Sequence, residues 1–97
     1  MKYGLSADDF TKVKNEILNN LGNTTNPKIY LYGSRVKGTY RQFSDIDILL
    51  VAESYDENAL SKIDFESLDI PYKVDFVLNK DLFAPYRPEI EAHMVEV

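Results

Sequence analysis

The sequence predicts an α/β or α+β domain with a three-stranded sheet at its centre. Three observations carry that expectation. Helical and strand-like segments alternate along the chain. Residues 45–51 form a near-continuous apolar run, of the kind found in a strand buried on both faces. The length, 97 residues, suits one domain, residues 1–97, around one hydrophobic core.

The first element reads as a helix. Ser6 and Asp9 make a capping-box-like start, and Asp8 and Asp9 lie in the first turn, where negative charge is favourable. Phe10, Val13, Ile17 and Leu21 recur at spacings of three and four, and Gly22 and the polar run up to Pro27 are expected to end the helix. Residues Lys28–Tyr32 are short, apolar and aromatic, a strand. Gly33-Ser34 breaks it and opens a short helical stretch to Lys37, and residues 38–44 form a polar loop. After the strand at 45–51, Leu60, Ile63 and Leu68 predict a helix somewhere within 57–67, and residues 72–78 a third strand. Pro85 and Pro88 interrupt the end, with Pro88 fit for a first helical turn and Ile90, Met94 and Val97 expected on one helical face.

Composition narrows the function. The hydrophobic share of 44% and charged share of 28% are ordinary for a globular protein. No apolar run approaches the ~20 residues of a membrane-spanning helix, and the polar, acidic start does not read as a secretory signal. A cytoplasmic location is the expectation. Without cysteine there is neither a disulfide nor a thiolate metal site. The net charge of −5 argues against stable binding to long DNA or RNA, whose phosphates call for a basic face. A small phosphate-bearing ligand needs only a local pocket and is not excluded.

The informative stretch is GSRVKGTYRQFSDIDILLV, residues 33–51. Gly33-Ser34 follows a strand and opens a helical turn, which leaves backbone N–H groups free for an anion. Alone, the pair is an ordinary turn. Asp45 and Asp47 are two apart on a strand, so both carboxylates share a face with Cα atoms ~7 Å apart. At an effective dielectric near 20 they repel by about 2 kcal/mol. A divalent cation turns that repulsion into attraction, and oxygen-only ligands favour Mg²⁺ or Mn²⁺. Asp75 interrupts a third apolar strand and brings a third carboxylate if the strands are neighbours. Three carboxylates can hold two metal ions for an in-line displacement at phosphorus. Arg35 and Lys37 are either contacts to the phosphates or solvated residues of a short helix. His93, without a partner in any motif, reads as structural or exposed, and the tyrosines as packing residues, Tyr40 being the candidate exception.

Gly-Ser, ten intervening residues and then Asp-x-Asp, met by Gly33-Ser34 and Asp45-Ile46-Asp47, resembles the signature of the DNA polymerase beta-like nucleotidyltransferases. The short chain is similar to the minimal nucleotidyltransferases, or MNT proteins, found beside HEPN-domain proteins in toxin–antitoxin pairs. The resemblance implies a mixed three-stranded sheet flanked by helices, with the paired aspartates on the central strand. It implies that Gly33 and Ser34 contact the triphosphate of ATP or another nucleoside triphosphate, and that Asp45 and Asp47 bind Mg²⁺, with two ions expected. Asp75 matches the third, metal-binding carboxylate and is implied to help deprotonate the acceptor hydroxyl. The implied activity is transfer of a nucleotidyl group, AMP first, to a hydroxyl of a HEPN-domain partner. The alternatives are an antitoxin that acts by binding alone and a nucleotide sensor. A homodimer is left open.

Overall fold

The computed structural model describes residues 2–97. Helix α1, Ala7–Leu18, begins at Ser6, whose Oγ accepts from the Asp9 amide at 3.1 Å. That local bond satisfies one of the donors a helix start leaves free. Val13 and Ile17, one turn apart, are 1% and 0% exposed and bury the apolar face against the sheet core. The helix stops at Leu18 rather than near Gly22, and Leu21 reaches the core from the loop beyond.

Strand β1 is Lys28–Tyr32, as its sequence predicts. A single helical turn, α2, covers Ser34–Lys37, and strand β2 is Ile46–Val51. β1 and β2 are antiparallel with Tyr32 opposite Asp47, and β3, Val74–Leu78, runs parallel to β2 with Asp75 opposite Asp47. The connection into β3 contains α3, Glu57–Leu60, which is one turn and not the longer helix expected within 57–67. Its Leu60 is buried, and Ile63, Phe65 and Leu68 pack against the core from irregular chain.

Two short 3₁₀ turns, Asn79–Asp81 and Ala84–Tyr86, lead to helix α4, Arg87–His93, with Pro88 in its first turn. Here the sequence expectation is corrected. Met94 is extended, at φ −61° and ψ 148°, so α4 ends before it and Val97 shares no helical face with Ile90. Val95–Glu96 instead forms a fourth strand, β4, antiparallel to β1. The mixed sheet of the described residues therefore has four strands in the order β3-β2-β1-β4, with helices flanking it and the strand that carries Asp47 inside; Asp45, expected on that strand, lies just before it. A two-residue strand carries no periodicity to read, which is why three were expected.

Alternation along β2 divides the sheet. Ile46, Ile48 and Leu50 join Ile29 and Leu31 in the core with α1. Asp47 and Leu49 point to the opposite face, where Leu49 is buried too. The double-sided burial expected of this strand holds for its middle and ends at Asp47.

Candidate functional site

The turn between β1 and α2 is built on Gly33, at φ 81° and ψ −154°. That region is open to glycine almost alone. A Cβ here would also collide with the Asp47 carboxylate, so the residue is glycine for two reasons: the bend and the close approach of an anionic side chain. Ser34 follows as the first residue of α2. Among the described residues its hydroxyl makes no hydrogen bond within the chain, which leaves it available to a ligand.

Across the strand ends runs a row that register alone defines: Tyr32 on β1, Asp47 on β2, Asp75 on β3. Directly opposed residues share a face in both antiparallel and parallel pairs, so all three side chains leave the sheet on one side. Asp45 lies just before β2, exposed, and Asp75 is exposed as well. Asp47 is half-buried, and its carboxyl is pushed up to about 6 by burial first, then by the charges of Asp75 and Asp45, with Arg35 pulling the other way. Tyr32 feels the same surroundings: burial, then Asp47 and Asp75, push its hydroxyl up to about 12. Crowded negative charge at the mouth of an apolar strand is the electrostatic signature of this site.

The carboxylates suit a hard divalent cation by chemistry: oxygen donors only, with none of the three in an ion pair among the described residues. Among the described residues, no three carboxylate or imidazole groups already converge on one point, so joint ligation of an ion takes side-chain movement.

Arg35 is a correction to the sequence reading, which offered a phosphate contact or a solvated side chain. It is 1% exposed. Its Nη1 donates to the Tyr3 carbonyl at 3.0 Å and its Nη2 to the Ser44 carbonyl at 2.7 Å. The guanidinium lies 4.7 Å from the Tyr72 ring centroid and 5.2 Å from that of Tyr40. A cation so enclosed does not present itself to a phosphate; it ties the loop before Asp45 to the N-terminal segment. The Tyr40 ring thereby packs on the guanidinium while staying exposed to solvent. Lys37 is exposed and pairs with Glu89, in keeping with a solvated side chain on a short helix.

Sequence reasoning missed two neighbours of the site. Tyr32 ends the strand that leads into Gly33, and only the register of β1 with β2 sets it opposite Asp47. His93 had no readable signal: its Nε2 accepts from the Gly33 amide at 2.9 Å, a contact across 60 residues with no motif to announce it. Two hollows, of about 480 Å³ beside Tyr3, Phe10 and Val97 and of about 290 Å³ beside Phe65 and Tyr72, lie away from the carboxylate row.

Several solved structures share this fold. A toxin–antitoxin structure with AMP-PNP is 22% identical, with 95% of this chain and 72% of that one aligned at a TM-score of 0.67. A mutant of the MntA–HpeT toxin–antitoxin is 20% identical, over 89% and 69% of the two chains, at a TM-score of 0.66. A protein crystallised as a candidate nucleotidyltransferase is 25% identical over 94% and 99% of the chains, at a TM-score of 0.57. No curated protein matches the sequence significantly. The family model described as "nucleotidyltransferase domain" matches residues 11–95, from within α1 to the start of β4, and takes in every residue of the carboxylate row and the Gly33 turn. The chain belongs to the nucleotidyltransferase domain family.

Proposed function

We propose that this domain transfers a nucleotidyl group, AMP from ATP in the first instance, to a hydroxyl on a HEPN-type partner protein in the cytoplasm, as the antitoxin of a toxin–antitoxin pair. The observation that carries the reading is the register row of Asp47 and Asp75 beside the Gly33 turn, with Asp45 adding its charge. The two toxin–antitoxin structures of like fold support the biological setting, and the AMP-PNP of one of them supports an adenine nucleotide.

Asp45, Asp47 and Asp75 would hold Mg²⁺ or Mn²⁺, which when bound supplies Lewis-acid stabilisation of charge at the transferring phosphate. The chain's own residues do the rest. Ser34 donates its hydroxyl and amide to phosphate oxygens at the start of α2. Gly33 lets the phosphate approach the backbone closely. The acceptor oxygen attacks the α-phosphorus, pyrophosphate departs, and Asp75, the exposed carboxylate of the row, takes the hydroxyl proton. The acceptor brings its own recognition surface.

Co-expression with the partner and mass spectrometry of that partner test the reading. A nucleotide adduct on a tyrosine, serine or threonine, absent with Asp47→Ala, is the expected result. A partner that is inhibited while unmodified overturns catalysis in favour of an antitoxin that acts by binding.

A further inference from the structure

We propose that His93 is a positioning residue for the nucleotide-binding turn, its imidazole standing in for a strand carbonyl to hold Gly33 in place. The proposal rests on the reading above, in which Gly33 and Ser34 receive the triphosphate.

The register of β1 with β4 leads to it. Leu31 lies opposite Val95, and the Val97 amide donates to the Ile29 carbonyl at 2.9 Å. Every second residue of β1 thus turns its backbone toward this edge, and Gly33 is next in the series. Carried one rung further, the same register puts residue 93 opposite Gly33. The strand does not reach that far, because residue 93 still belongs to α4. The side chain of that same residue completes the rung: Nε2 of His93 accepts from the Gly33 amide at 2.9 Å. Accepting requires a neutral ring with its proton on Nδ1.

The rung matters because of the conformation it meets. Gly33 sits at φ 81° and ψ −154°, a conformation glycine adopts freely and leaves as freely, so the turn keeps its shape only through contacts of this kind. A second tie acts one turn further along both helices: Glu89, four residues before His93, pairs with Lys37, four residues after Gly33. That exposed pair adds little energy. α4 thus touches α2 at both ends, and the hydrogen bond from His93 is the contact that carries the positioning.

The test compares wild type with His93→Leu, which cannot accept, and His93→Gln, whose Oε1 can. Three quantities are read: Gly33 amide hydrogen exchange by NMR, affinity for a non-hydrolysable ATP analogue with Mg²⁺, and melting temperature. His93→Leu is expected to speed Gly33 exchange and weaken nucleotide binding about tenfold, the worth of one good hydrogen bond. His93→Gln is expected to restore both, with all three proteins folded. Equal exchange in the three proteins overturns the hydrogen bond. A bond that is lost while nucleotide affinity holds, or tightens because the imidazole had been a competitor, overturns the positioning role. A wild type that protects Gly33 but binds no nucleotide overturns the transferase reading instead, and with it the purpose given to the bond.

Discussion

On one face of the sheet, Ile46, Ile48 and Leu50 are no more than 1% exposed and meet α1 through Val13 and Ile17. On the other, the same strand sets Asp47 between Tyr32 and Asp75, and burial there raises the energy of a charged group. The strand's period of two is all that separates them. One face contributes the apolar burial that folds the chain, roughly 1.5–3 kcal/mol for each large side chain. The other spends part of that stability on holding like charges near one another. A site of this kind is recognisable because it opposes folding where its neighbours favour it.

The largest expected effect follows from exchanging one charge on the second face. Asp47→Asn is expected to lower nucleotidyl transfer on the order of 10³-fold, several kcal/mol of lost charge stabilisation, while the chain stays folded. Steady-state kinetics beside a thermal melt would show it, and undiminished turnover would erase the division between the faces. Next is Ile48→Ala, one residue along and pointing the other way. It should cost about 3 kcal/mol of stability, a melting shift of roughly 10–20 °C, and leave activity per folded molecule intact. Gly33→Ala tests the seam between the faces, since its Cβ would meet the Asp47 carboxylate in a backbone region alanine avoids. A loss of about 1–3 kcal/mol by denaturant titration, with weakened nucleotide binding, is expected.

The smallest effect is the most diagnostic. With its pKa raised from 3.8 to about 6, Asp47 keeps in the folded chain a proton that the unfolded chain has already released over that pH interval. The contribution of Asp47 to stability therefore falls as pH rises from 3.8 to about 6 and levels off above, while Asp56 and Glu89, held low by their partners, act with the opposite sign in both proteins. Asp47→Asn has no such proton to lose. The two proteins should be alike near the lower limit, and by neutral pH the variant should be ahead by about 1 kcal/mol. A fully buried group would give ~3 kcal/mol, and water screens much of it at a half-buried carboxylate. A variant less stable than wild type at neutral pH would show Asp47 to be a structural partner and not a strained ligand.

What could be read from the sequence was whatever acts over short range. Ser6 caps α1 through a bond three residues long. The ends of β1 follow from its apolar run and the Gly33 break. Asp47 was placed by the strand period, Asp45 was expected on the same strand and lies just before it, and Asp75 was placed by the expectation that its strand lies alongside, which the parallel register bears out. What was missed depends on partners far along the chain. β4 is two residues long and exists because β1 offers it an edge. Glu57–Leu60 is one turn where a longer helix was expected, because Ile63, Phe65 and Leu68 find the core without helical geometry. His93 takes on meaning only opposite Gly33. Arg35 looked like a phosphate ligand because its neighbours in sequence are ligand-like, and its burial needs Tyr3, Tyr40, Ser44 and Tyr72 at once.

That buried guanidinium links two parts of the chain that would otherwise move separately. Its hydrogen bonds run to the main chain at Tyr3 and at Ser44, the residue immediately before Asp45, and its Nε is sealed in without a partner among the described residues. Neither segment can lift away without exposing the ion and leaving one of its nitrogens without an acceptor. The N-terminal segment and the loop that delivers the first aspartate therefore open as one cooperative unit. Trimming the chain past Tyr3, or fusing a bulky tag against it, would be felt at Asp45.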